Sequence, residues 1–95
     1  MDLVVRVAEI RGTCPVYHVG DTFRLVDGYR LESPKPLCMH SLAALIPHYN
    51  ALRVSEPKDW GLAGRTNPGK AYVQCLDPEP YTGGGTAVFE ISRQG

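Results

Sequence analysis

No apolar run in this 95-residue chain approaches the ~20 residues needed to cross a bilayer as a helix. Excess charge is lacking too. Ten basic and ten acidic residues cancel and are interspersed, leaving no basic patch for nucleic acid and no polybasic segment for an anionic membrane surface. Nucleic acid and membrane are therefore not expected partners. Met1-Asp2-Leu3-Val4-Val5-Arg6 is acidic where a secretory leader needs positive charge, so a cytoplasmic protein is expected. Cysteine is scarce and unpaired: there are three, an odd number, with no C-x2-C among them. That argues against a disulfide framework and against the usual zinc-finger spacing. No G-x-G-x-x-G or P-loop is present. Gly83-Gly84-Gly85 lacks the lysine and the strand-then-helix context of a phosphate cradle, and reads as a flexible turn. Asp77 and Glu79 are each followed by proline and lack the spaced acidic ladder of a calcium loop.

What is present fits one small domain over residues 1–95. Leu3 to Ile10 is rich in β-branched residues and places Leu3, Val5 and Val7 on one face, which predicts a strand. Thr22 to Val26 alternates likewise, and Asp27-Gly28 is a hairpin dipeptide leading into a short third strand at Tyr29-Arg30-Leu31. Leu42, Leu45, Ile46, Tyr49 and Leu52 form one stripe of 3.6-residue period, a helix that Pro47 should kink or break, with His48 to Arg53 as a separate turn. Residues 55–70 read as a long irregular loop with one turn near Trp60. Ala71 to Cys75 and Thr86 to Ser92 complete the strands, and the first and last should pair. The expected class is α+β: a small antiparallel sheet of four to five strands packed on one Pro-kinked helix, in the order β-β-(β)-α-β-β.

Gly12-x-Cys14-Pro15-x-Tyr17-x-x-Gly20-Asp21-x-Phe23, Cys38-x-His40-x-Leu42-x-Ala44-Leu45-x-Pro47, Val73-Gln74-Cys75-x-Asp77-Pro78 and Phe89-x-Ile91 occur in this order. Together they resemble a family of short bacterial and archaeal proteins labelled "uncharacterised repeat protein", some of which hold tandem copies. The resemblance spans nearly the whole chain and implies a single unit here. It implies no activity, substrate or cofactor, but it makes the three cysteine positions part of the family pattern.

Those cysteines carry the chemical question. Cys14, Cys38, His40 and Cys75 form a Cys3His set, a common ligand combination for zinc, with iron as the other candidate. If Cys38 and His40 were both helical, their side chains would diverge by about 200°. Joint ligation therefore requires Cys38 to precede the helix in extended or capping geometry. Taken singly, Cys38 is the best candidate for a reactive thiol, because a helix N-terminus favours an anion. The competing reading makes each cysteine a core residue: Cys38 under the helix, Cys14 at the base of its loop, Cys75 beside Val73. His18 and His48 are expected at the surface. Trp60 and Tyr81, on loops, are candidate partner-binding residues.

Two functions follow as expectations. The first is a small non-catalytic interaction or accessory module, self-associating, contacting a protein partner through Trp60 and Tyr81 and needing no cofactor. The alternative is a metal- or thiol-dependent protein using Cys14, Cys38, His40 and Cys75. No catalytic set is recognisable, so an enzyme is not the favoured expectation.

Overall fold

Val4, Val5 and Val7 favour extended backbone, and the first strand, β1, spans Asp2–Gly12 in the computed structural model, which describes residues 2–94. β2 follows at Thr22–Val26 and β3 at Arg30–Glu32. The Asp27-Gly28 turn between them has both residues at positive φ, 59° and 82°, as a primed hairpin turn requires. Helix α1 covers Met39–Val54, β4 Ala71–Gln74, a short helical turn α2 Glu79–Thr82, and β5 Gly85–Gln94. The fold is thus a small α+β domain with a five-stranded antiparallel sheet and one main helix.

The sheet order is β3-β2-β1-β5-β4, so β1 and β5, the two ends of the chain, lie side by side at its centre. Their register runs from Asp2 opposite Gln94 to Gly12 opposite Gly85, with a shift between Val7 and Glu9. Strands alternate faces with period two. The extra residue, Ala8, therefore lets both Val7 and Ile10 meet core partners, Phe89 and Ala87. Leu3, Val5, Val7, Phe23, Ala87, Phe89 and Ile91 form a buried inner face under α1.

Pro47 lies inside α1, which runs on through Arg53 as one element rather than two. Pro47 has no N–H to offer the Ala43 carbonyl, yet the helix continues past it, and Leu45 and Leu52 are buried on either side. The buried stripe is Ser41, Ala44, Leu45 and Leu52. Ile46, expected on it, is instead 54% exposed. Residues 57–60 form a 3-10 turn that ends at Trp60, and α2 takes up part of a stretch expected to be loop.

Among the described residues, the outer face of the sheet holds one buried charge. Glu90, 8% exposed, accepts hydrogen bonds from Arg6 Nε and Nη2 at 3.2 and 3.3 Å, Tyr72 Oη at 2.7 Å and Lys70 Nζ at 3.2 Å. The Arg6 bonds first, then Tyr72, hold its carboxyl at about 2 against the ordinary 4.5, with burial opposing them. Because the folded value is depressed, the stabilisation is present above pH 4.5 and is lost as pH falls toward 2. The full gap corresponds to about 3 kcal/mol, and the 43% exposure of the Arg6 side chain screens the pair, leaving about 1–2 kcal/mol. Urea midpoints at pH 7 and pH 3 should show this drop in the native chain and a smaller one in Glu90→Gln; an equal drop in both would refute the assignment.

Candidate functional site

β1 ends at Gly12, α1 begins after Cys38, and β4 ends at Gln74. Each cysteine therefore stands just beyond an element at one end of the molecule. All three are half-buried and unpaired, and all three line a single cavity of about 190 Å³ together with Tyr17, His40 and Asp77. Each also packs against the core from its rim. Cys14, Cys38 and Cys75 are thus core-edge residues around one space, rather than three separate interior fillers.

Cys38 is the N-cap of α1, with extended backbone at φ −85° and ψ 133°. This is the geometry that joint ligation with His40 requires. Its position before the helix follows from Pro36, which resists helix, and from the carbonyl of Cys38, which accepts the first intrahelical bond from Leu42 N–H at 3.1 Å. His40, exposed on the first turn, lines both this cavity and an adjoining one of about 330 Å³ reached past Leu76, Asp77 and Thr82.

The sulfurs are met by backbone donors. Cys14 Sγ accepts the Tyr17 N–H at 3.3 Å, and Cys75 Sγ accepts the Ala87 N–H at 3.3 Å. In its thiol form Cys75 points at the Gly85 carbonyl, 3.7 Å away. N–H groups aimed at sulfur complement the charge of a metal-bound thiolate. The two loops are pressed together at Gly85, where an added Cβ would lie 2.7 Å from Cys14 N. Only glycine allows the Cys14 segment to close onto the start of β5.

Tyr17 joins the Cys14 loop to the helix. It is 3% exposed, and Ser41 fully buried. The Cys38 N–H donates to Tyr17 Oη at 3.0 Å, and Ser41 Oγ donates to the Cys38 carbonyl at 2.7 Å. With its proton so used, Ser41 must accept from Tyr17 across their 2.6 Å contact. The result is a closed ring of three hydrogen bonds that fixes the Cys38 backbone, while the Tyr17 amide fixes Cys14 Sγ.

Asp77 is held as well: Oδ2 accepts the Gly85 N–H at 3.2 Å, and Oδ1 accepts the Thr82 hydroxyl. Among the described residues, no three His, Cys, Asp or Glu side chains are yet gathered closely enough to hold one ion. Ser41 escaped sequence reasoning, and Tyr17 and Asp77, though part of the quoted pattern, were not assigned to the cysteine site. Their spacing resembles no ligand motif, and only the folded chain brings Tyr17 and Ser41 within hydrogen-bond reach.

The aromatic candidates lie apart from the cavity. Trp60 is 53% exposed and Tyr81 91% exposed. Trp60 Nε1 donates to Ser55 Oγ at 2.7 Å, tying the indole to the end of α1. Among the described residues the ring contacts join Tyr17, Phe23 and Phe89, and none joins Trp60 to Tyr72 or Tyr81. Among the described residues, no helix is long and apolar enough to cross a membrane. Compared with protein-family models, curated proteins and solved structures, the chain matches none.

Proposed function

We propose that Cys14, Cys38, Cys75 and His40 take up one soft metal ion, zinc or iron(II), and that this ion ties the loops at one end of the sheet to the helix. The observation that carries this reading is the single cavity lined by all three thiols and the imidazole. Zn–S bonds of about 2.3 Å require sulfurs about 3.5–4 Å apart, so the thiols turn inward about their Cα–Cβ bonds as the ion enters. The extended Cys38 and the backbone N–H groups on Cys14 and Cys75 suit this closure. Four protein ligands close the coordination sphere, so the role is structural or regulatory rather than catalytic. Three unpaired thiols belong in a reducing compartment, the cytoplasm.

Anaerobic purification followed by metal analysis is expected to find about one zinc or iron per chain, and cobalt(II) should give the visible bands of a tetrahedral thiolate site. Cys14→Ser, Cys38→Ser and Cys75→Ser should each abolish stoichiometric binding, and chelation should lower the melting temperature. A parent protein that retains no metal and binds no cobalt, or a Cys38→Ser variant that binds as well as the parent, would overturn the proposal.

A second reading, an interaction module, is favoured by a different observation: Trp60, at the end of the 3-10 turn, and Tyr81, in α2, offer exposed rings on separate elements. Aromatic anchors of this kind commonly carry contact energy. Retention of a protein partner by the parent and its loss in Trp60→Ala would support it.

A further inference from the structure

The two edges of the sheet are treated differently. Beyond β4, the chain itself adds partial pairing: Ala63 bridges Ala71, and the Tyr72 N–H donates to the Leu62 carbonyl at 2.9 Å. Beyond β3, no segment among the described residues does so. An open edge is a template for another strand.

The side chains around this edge are apolar on the helix side. Leu31 lies opposite Leu25, whose side chain belongs to the core face. Tyr29 is 80% exposed, Leu31 46% and Ile46 54%. They border a cleft of about 140 Å³ that reaches down to Leu25 and Tyr49. Helix α1 lies mainly over β1, β5 and β4; toward this end it reaches the β2–β3 turn through Tyr49 Oη, which donates to the Gly28 carbonyl at 3.0 Å, and the cleft beside β3 stays open. A contiguous apolar patch of this kind on a small domain calls for a cover.

The sequence of the edge indicates what the cover is. β3 reads Arg30-Leu31-Glu32. Placed antiparallel to itself about a two-fold axis at Leu31, it sets Arg30 opposite Glu32 of a second copy, twice, with Leu31 against Leu31. Opposite charges directly across an antiparallel pair are favourable and like charges unfavourable. The present partners of these groups, Asp27 for Arg30 at 2.7 Å, Arg24 for Glu32 at 2.9 Å, and Arg30 and Glu32 for each other at 3.5 Å, are exposed pairs of small worth, so re-pairing costs little.

We infer that a second copy of this chain pairs with it edge to edge through β3, making a continuous ten-stranded sheet and closing the Tyr29–Leu31–Ile46 cleft at the two-fold seam. The short strand implies a small interface and a weak, micromolar dimer. This inference is independent of the metal reading.

Sedimentation of the full chain from micromolar to millimolar concentration, with and without EDTA, tests it. The expected result is a concentration-dependent dimer that EDTA leaves unchanged. Leu31→Arg, which puts two cations on the axis, should remain monomeric throughout. Arg30→Glu should weaken the dimer about tenfold or more, by setting Glu against Glu, and the double variant Arg30→Glu/Glu32→Arg should recover it. Circular dichroism confirms that each variant is folded. A monomer at millimolar concentration, a dimer that survives Leu31→Arg, or a folded double variant without recovery would each overturn the proposed pairing.

Discussion

Phe89→Ala is expected to lower the free energy of unfolding by about 3–5 kcal/mol. Phe89 is fully buried near the middle of β5, opposite Val7 of β1 and Val73 of β4. Its ring meets Tyr17 edge-on at 5.5 Å and Phe23 at 6.4 Å. Truncation removes the transfer energy of the ring and leaves a cavity that two hydrogen-bonded neighbouring strands cannot easily collapse. A domain of this size has about 5–15 kcal/mol in total, so the variant should sit near the edge of stability. Urea denaturation of parent and variant measures the difference. A loss below about 1 kcal/mol would mean that Phe89 is not the keystone of the core described here. The same substitution should loosen Tyr17, and with it the link between the Cys14 loop and α1.

Tyr17→Phe tests that link with almost no change of shape. Removing the hydroxyl deprives the Cys38 N–H of its acceptor and frees Ser41 from one partner. Cys38 supplies no side-chain cap of its own, so the first turn of α1 relies on this ring. A buried donor without a partner costs about 1–3 kcal/mol, and that is the expected loss, read from urea midpoints. Hydrogen exchange at the Cys38 amide should quicken in the variant. If the thiols ligate a metal, affinity should also fall by about 10–100-fold, as when a group supporting a ligand is removed. Unchanged stability together with unchanged exchange at Cys38 would show that the ring does not hold the helix start.

Much of the fold was legible because local signals agreed with the tertiary outcome. The valines of β1, the Asp27-Gly28 turn and the alternating Ala87, Phe89 and Ile91 each specify an element through backbone preference and period. The helix signal was partly misleading. Ile46 continues the 3.6-residue stripe, yet α1 lies mainly over β1, β5 and β4, and toward β2 and β3 an open cleft bordered by Leu25 and Leu31 leaves Ile46 exposed. The Pro47 signal for a separate turn at 48–53 was misleading too, since α1 runs on past it as one element with Leu45 and Leu52 buried on either side. The α2 turn was hidden by Pro78 and Pro80, which suggest loop although proline is well tolerated in the first turn of a helix.

The candidate site divides along the same line. Composition and spacing by themselves determined which groups are available for chemistry: three unpaired thiols, an imidazole, no phosphate loop, no basic face and no membrane-spanning run. Pro36 before Cys38 already hinted at a position outside the helix. That the thiols share one space was decided by tertiary structure alone. Cys14 and Cys75 are 61 residues apart in the chain, and no local propensity relates them. They border the same cavity because β5 runs beside both β1 and β4, carrying Gly85 and Ala87 between the two loops. The Tyr17–Ser41–Cys38 ring likewise exists only once the loop after β1 lies against the helix start. Side-chain type is written in the sequence, whereas proximity across tens of residues is a property of strand pairing and of the buried core that holds it.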